Sequence, residues 1–417
     1  VKQYNYKPLL IILILLVWLS HFIQVLVPET GFDALWYHLP VIKAVIENKG
    51  LVYLPDLYQS INPLFSDLYF ALGYLFLGEL GTKIVAYLFA LGLIFVSYKL
   101  SIKFLKTHWS LLLILLISTF QAISWQSASF YVDIAKAFFE ISSLLFLYYF
   151  IFDGSVIVSG ENKKEKKLLL ISALLFGASL ATKLFSIFLL PVYLLIVFIF
   201  SKSDKIKNSL LFLLSSLVLP FPYYLFAYLK TGNPFYSFMI HIDKLGEIGG
   251  NSSPLIYIFE RITKLPYSLF ELFLSKDYVS FIFLLFLPLV IYNYKKVLIK
   301  KNLFLFIFSI FQYLLWWFLP PTSSRYAISG FIVLTIFYFK IINYFIKENR
   351  NYFLPVVISI ILSSLINFAP RLIVNVRSLR YITGQQNKEQ YLKQFLDGSI
   401  DNNLKEWHFG TTLYKFN

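Results

Sequence analysis

Four short clusters in this chain combine acids, cations and aromatic residues in a way that could support group transfer. The first is Glu29-Thr-Gly-Phe-Asp33-Ala-Leu-Trp-Tyr-His-Leu-Pro40, where Asp33 stands close to Trp36, Tyr37 and His38. The second, Gln126-Ser-Ala-Ser-Phe-Tyr131-Val-Asp133, introduces an acid as a new apolar run begins. The third, Gly177-Ala-Ser-Leu-Ala-Thr182-Lys183, ends a small-residue stretch on a lysine. The fourth, Pro320-Pro-Thr-Ser-Ser-Arg325-Tyr326, presents an arginine on a turn. Charge beside a bilayer is costly and is kept mainly for function. One acid with two cations suits transfer of a sugar from a lipid phosphate. An acceptor hydroxyl is a weak nucleophile, so a positioned carboxylate such as Asp33 would take its proton. The leaving group is already an anionic phosphate and needs no partner acid, unlike the paired carboxylates of glycoside hydrolases. Lys183 and Arg325 would bind that phosphate and stabilise its growing charge. A single in-line displacement would invert the anomeric carbon.

Each cluster also has a plainer reading. Asp133 and Lys183 could form a structural ion pair between two spans, and Arg325 could be a boundary residue that snorkels. His38 reads as an interfacial hydrogen-bonding residue as readily as a catalyst. His21 lies inside the first apolar run and reads as a packed polar group, while His108 marks a cytoplasmic boundary.

The elements that must position these residues are membrane helices. Hydrophobic residues make up 58% of the chain, charged residues only 14%, and mean hydropathy is +0.70. Soluble domains are nearer a quarter charged. The apolar residues fall in runs close to the ~20 residues that cross a bilayer. Eleven spans are predicted, near 8–27, 81–101, 110–126, 131–152, 168–183, 185–200, 208–229, 279–294, 302–319, 326–345 and 353–368. The fold class is therefore an all-α polytopic membrane protein. The first run is not expected to be a cleavable leader, because it is long and no small-residue cleavage site follows it. Cysteine is absent, which excludes disulfides, thiolate metal sites and a cysteine nucleophile. No G-x-x-x-x-G-K-[ST] loop is present, which argues against a nucleotide-driven pump.

Lysine placement predicts the orientation. Lys-rich connections recur at Lys99/Lys103/Lys106, Lys163–Lys167, Lys202/Lys205/Lys207, Lys295–Lys301 and Lys340/Lys347/Arg350. They fall on every second connection, as expected of cytoplasmic loops. The N-terminus is then cytoplasmic and the C-terminus external, in the cell (inner) membrane. The +15 net charge follows largely from this pattern and does not indicate nucleic acid. The larger non-membrane segments, 28–80, 230–278 and 369–417, fall on the outer face, so the site is expected there. The transmembrane catalytic domain is assigned to 1–368 and a short outer tail to 369–417.

Within 28–80, Leu35, Leu39, Ile42 and Ile46 recur at helical spacing and predict an interfacial amphipathic helix. Residues 64–77 predict a second, half-inserted helix interrupted by Asp67 and Gly73. Pro40 belongs in a first helical turn, which places Asp33 ahead of the regular helix, in a loop or distorted turn. In a regular helix running back through Asp33, Tyr37 would share its face and His38 would point about 140° away. In the tail, Asn387-Lys-Glu-Gln390 predicts a capping box and Gly398 a helix end. Arg371, Arg377 and Arg380 read as headgroup contacts or as a phosphate contact in the site.

The ordered series of motifs resembles the GT-C superfamily of polytopic glycosyltransferases, specifically the dolichyl-phosphate-mannose protein mannosyltransferase and aminoarabinose transferase group. The pieces are Asp33-Ala-Leu-Trp-Tyr-His-Leu-Pro40, Asn62-Pro63-Leu64 with Asp67, Tyr131-Val-Asp133, Ala181-Thr-Lys183, Thr231-Gly-Asn-Pro-Phe-Tyr236 and Ser324-Arg-Tyr326. The resemblance implies a polyprenyl-phosphate-linked sugar donor, an extracytoplasmic active site, and a lipid, glycan or protein acceptor. It maps the catalytic base onto Asp33. Substrate contacts are assigned to Tyr37, His38, Asp67, Tyr131, Asp133, Lys183, Arg325 and Tyr326, with Asp133 and Lys183 near the donor phosphate. Thr231-Gly-Asn-Pro reads as a turn closing the seventh span. Where relatives carry an acidic pair or Asp-x-Asp, Ala34 follows Asp33, which argues against a two-carboxylate metal site; no cofactor is expected and metal dependence stays open. Where relatives show Pro-Pro-x-x-Glu, Asp67 takes the acid's place. The tail to Asn417 is expected to leave little room for a folded outer domain.

Two other readings compete. A transporter or flippase for a lipid-linked glycan would bind the same phosphate, but such proteins commonly show internal repeats, and none is visible here. An oligosaccharide ligase or polymerase would move a preassembled glycan with the same site.

Overall fold

The computed structural model describes residues 6–153, 162–237, 254–274, 279–319 and 323–396. Every regular element among them is helical. Among the described residues six helices are long and apolar enough to cross a membrane, and a seventh span arises if Lys205–Ser216 and Phe221–Thr231, bent by 59°, act together. The protein is a multi-pass membrane protein. Each of the eleven expected spans coincides with one helix or with a broken pair, but only six or seven meet the length criterion, so eleven is not established.

The broken spans have local causes. The 110–126 run divides into Thr107–Ser118 and Gln121–Gln126 around Thr119 and Phe120, the latter in extended backbone. Pro191, in the first turn of Leu190–Phe200, is preceded by a tight 3-10 stretch, Leu184–Leu189. Proline lacks an N–H and is tolerated at a helix start, so the run restarts there. The helix of the eleventh expected span runs from Phe353 to Ile382, past the expected membrane-domain boundary at 368.

Segment 28–80 forms two helices against the bundle. Leu39–Asn48 buries Leu39 and Ile42, and Leu35 just ahead of it, against Phe70, Ala71 and Phe130. The second helix starts at Phe65 and breaks at Leu77 and Gly78, then continues to Ser101. Gly78 has φ +58°, which a side chain disfavours. The halves fold back on one another so closely that the Thr82 hydroxyl donates to the Phe70 carbonyl at 3.3 Å. This matches the helix expected at 64–77, with the interruption at Gly78 rather than at Asp67 or Gly73.

The Val132–Tyr148 helix is the central strut, packing against Asn162–Thr182 and Phe65–Ser101. The expected capping box is present: Asn387 Oδ1 accepts the Gln390 N–H at 2.9 Å, and Gln390 Oε1 accepts the Asn387 N–H at 3.0 Å. It opens the Lys388–Leu396 helix; Gly398 lies outside the described residues. Arg371 is not a headgroup contact: it is buried, its guanidinium donating to Ser124. Arg377 and Arg380 remain exposed.

Candidate functional site

The chemistry-bearing residues share a local property: they sit where helices start or break. Asp33 has helical backbone (φ −61°, ψ −36°) and leads into a π-turn, Ala34–His38, closed by the Leu39 N–H on the Ala34 carbonyl. It therefore lies in a distorted helical turn, not a loop. Pro40 removes one backbone donor and would crowd the carbonyl one turn back, and a widened turn relieves both. The i→i+5 turn also brings Tyr37 and His38 together onto the cavity that Asp33 lines, so the 140° separation of a regular helix does not apply.

Tyr131 is extended (φ −81°, ψ 147°) immediately before the Val132–Tyr148 helix, which places Asp133 in its first turn. The positive end of a helix dipole suits an acid there. Lys183 is likewise extended (φ −150°, ψ 123°), between Asn162–Thr182 and the 3-10 stretch that follows. Arg325 and Tyr326 belong to a 3-10 turn, Ser324–Ala327, that opens the Ile328–Glu348 helix.

These starts converge on one cavity of about 210 Å³. Asp33, Tyr37, His38, Asp67, Lys183, Arg325 and Tyr326 all line it, with Trp36, Tyr58, Asn62 and Pro63 completing much of the wall. Tyr131 and Asp133 stand behind the lining and hold it. The Tyr131 hydroxyl accepts the Asp33 backbone N–H at 2.9 Å. Asp133 is 1% exposed; it forms an ion pair with Lys183 and accepts a hydrogen bond from Gln126 at 3.3 Å. Gly31 permits the first of these contacts: a Cβ there would come within 2.6 Å of the Tyr131 ring.

Each cation is matched to an acid. Arg325 Nη1 donates to Asp33 Oδ2 at 2.8 Å, with both side chains under one-fifth exposed. Tyr326 joins the two pairs: its ring lies 4.2 Å from Lys183 Nζ and its hydroxyl accepts from Arg325 Nη2 at 3.1 Å. Asp67 is held by His38, with Nδ1 and Oδ1 2.6 Å apart. This locks the π-turn to the Phe65–Ser101 helix and makes His38 a structural partner of Asp67 as well as a cavity residue. Burial, then the nearby Asp33 charge, pushes the phenols of Tyr37 and Tyr58 above their ordinary range, which keeps both neutral as hydrogen-bond donors.

Other expectations have clear outcomes. His21 is a packed polar group, its Nε2 2.9 Å from the Ser118 carbonyl oxygen. Thr231-Gly-Asn-Pro does form a turn, closed by the Thr231 hydroxyl on its own helix and on Asn233. Sequence reasoning missed Tyr58, Gly31 and the pair Lys136 and Glu140. The last pair carried a visible signal: two opposite charges four residues apart within an otherwise apolar run. Among the described residues, no three His, Asp or Glu side chains cluster to share a cation.

No family model matches the sequence, and no curated protein matches it either. Solved structures do resemble it. ArnT from Cupriavidus metallidurans bound to undecaprenyl phosphate is 14% identical at a TM-score of 0.57, over 82% of this chain and 61% of that one. The archaeal oligosaccharyltransferase AglB from Archaeoglobus fulgidus, in complex with an inhibitory peptide and a dolichol-phosphate, is 13% identical at 0.57, over 90% and 56%. The chain thus spans roughly three-fifths of the length of either protein. At these identities the likeness is one of fold, an all-helical membrane fold shared with both proteins.

Proposed function

On a GT-C fold with this cavity, we propose that the protein is an integral-membrane glycosyltransferase that moves a sugar from a polyprenyl-phosphate-linked donor to an acceptor hydroxyl. The observation that carries the reading is the convergence of one acid, Asp33, and two cations, Lys183 and Arg325, on a single aromatic-walled cavity. Both similar structures are described with a polyprenyl-type phosphate bound, which supports the donor class. The lysine pattern supports an extracytoplasmic site.

In the proposed reaction Asp33 accepts the proton of the acceptor hydroxyl as its oxygen attacks the anomeric carbon. The bond from that carbon to the phosphate oxygen breaks, and the polyprenyl phosphate leaves with the electron pair. Lys183 and Arg325 balance the charge that gathers on it. Attack opposite the leaving group inverts the centre. Trp36, Tyr37 and Tyr58 offer ring faces and phenol donors to the sugar. Asp133 tethers Lys183, and Tyr131 orients Asp33 through its backbone.

A second reading has its own support. AglB, an oligosaccharyltransferase, shares the fold at the same TM-score as ArnT, so a preassembled glycan in place of a single sugar fits the same chemistry. The deciding experiment for the class is transfer by purified protein in nanodiscs from synthetic polyprenyl-phosphate sugars. The expected result is transfer by the wild type, lost in Asp33→Asn with undecaprenyl phosphate still bound. Full transfer by Asp33→Asn would remove Asp33 as the base. Movement of intact donor across the bilayer without transfer would point to a flippase.

A further inference from the structure

Below the cavity lies a charged group that the proposed chemistry does not use. Lys136 and Glu140 sit one turn apart on the Val132–Tyr148 helix, 1% and 0% exposed, with Lys136 Nζ 3.0 Å from Glu140 Oε1. Stability alone gives little reason for such a pair. Desolvating two charges is costly, and an apolar pair of similar volume is often at least as stable.

What distinguishes Glu140 is what it holds. Its Oε1 accepts the hydroxyls of Ser179 at 3.1 Å and Ser186 at 3.2 Å, which are themselves 2.7 Å apart. These two serines bracket the helix break that carries Lys183. Its Oε2 accepts the Ser329 hydroxyl at 2.5 Å, four residues beyond Arg325. Lys136 Nζ donates to the Tyr326 backbone carbonyl at 3.0 Å. Gln312 steadies Ser329 from another helix at 2.7 Å. One buried carboxylate and its lysine therefore bind the backbone break of Lys183 and the turn of Arg325 to the helix that presents Asp133.

We infer that Glu140, with Lys136, is a positioning residue that sets the separation of Lys183 and Arg325 and so the fit of the phosphate between them. The inference rests on the phosphate-binding role proposed above for those two cations. A serine hydroxyl lost from this node frees one cation's segment without touching the cavity lining.

The test uses full-length protein in nanodiscs, with undecaprenyl phosphate as the probe. Ser186→Ala and Ser329→Ala are mild enough to fold, and Glu140→Gln and Glu140→Ala extend the series. Backbone hydrogen exchange on unliganded protein is expected to rise about fivefold at 183–190 in Ser186→Ala and at 323–328 in Ser329→Ala. Each variant should also weaken undecaprenyl phosphate binding about fivefold. Glu140→Gln keeps an acceptor oxygen and should stay closer to wild type than Glu140→Ala in both readouts. Unchanged exchange in both segments, or faster exchange with affinity unchanged in a protein that binds the lipid, overturns the inference. If the wild type binds no undecaprenyl phosphate, the proposed function falls, and the same exchange pattern still decides whether Glu140 positions the two segments.

Discussion

Asp33, the proposed base, and Arg325, a proposed phosphate ligand, hold one another at 2.8 Å. The Asp33 oxygen held in that bond is not open to an acceptor hydroxyl. The arrangement implies a division of time. On the proposed roles, Arg325 would serve Asp33 before donor binds, and a bound phosphate would compete for Arg325 and release Asp33 toward the acceptor. The base would thus be readied by the substrate it serves.

Asp33→Asn separates these two roles. Turnover is expected to fall about 10²- to 10⁴-fold, the usual contribution of a general base. Affinity for undecaprenyl phosphate is expected to rise severalfold, because Arg325 no longer has a carboxylate partner. Titration of the variant in nanodiscs reads both effects, and weaker binding by Asp33→Asn would contradict the shared-arginine account.

Arg325→Lys is predicted to behave as a severe change. The guanidinium reaches Asp33 and the Tyr326 hydroxyl from separate nitrogens, which an ammonium on a flexible stem does not reproduce. Transfer should drop about 10²- to 10³-fold, as for loss of a charge-stabilising donor. Retention of most activity in a single-turnover assay would show that Arg325 contributes only bulk charge.

Gly31→Ala tests the support of Asp33 from behind. The added methyl would press within 2.6 Å of the Tyr131 ring and 2.7 Å of the Ser129 hydroxyl. Displacing Tyr131 loosens its bond to the Asp33 N–H, so turnover should fall about tenfold with a stability loss of roughly 1–3 kcal/mol. In a Tyr131→Phe background the further loss of turnover should be small. Fully additive losses would mean that Gly31 acts by another route.

Glu29 gives stability a pH dependence. Burial, only partly offset by Lys83 and by hydrogen bonds from Gly31 and Ser129, holds its carboxyl above the ordinary value. Between the ordinary and raised values the folded protein keeps a proton that the unfolded chain has lost. Stability therefore falls as pH rises through that window, with the full contribution present below it. Apparent unfolding temperatures across this range should decline for the wild type and flatten for Glu29→Gln; an unchanged slope in the variant would assign the effect elsewhere.

Much of this site was legible in the chain because its residues sit at transitions. Asp33, Asp133, Lys183 and Arg325 each stand where an apolar run begins or ends, so charge at a run's edge was the signal. Pairing was harder to read. The ion pair of Lys183 with Asp133 was among the readings of the chain, but nothing in the spacing says that Arg325 meets Asp33, 292 positions away. Broken spans were read as continuous, although the bend between Ser216 and Phe221 carries a signal in Pro220 and Pro222, which restart a helix. The Lys136–Glu140 pair was visible but unread, because its partners are serines, which carry no pattern of their own. His38 and Asp67 were named separately, and only the fold joins them.

The turn Ala34–His38 spends one residue more than an α-helix would on the same circuit. Its length is therefore a phase setting. Winding the same residues as an ordinary α-helix would swing Asp33 by about 100° relative to the helix that follows, whereas deleting one residue between Ala34 and His38 would let ordinary winding complete the same circuit with Asp33 still in phase. Composition, hydrophobicity and every cavity side chain outside the turn would be untouched by such a deletion. The extra residue thus belongs to the winding: it keeps Asp33 in phase with the Leu39–Asn48 helix only while the turn stays wide.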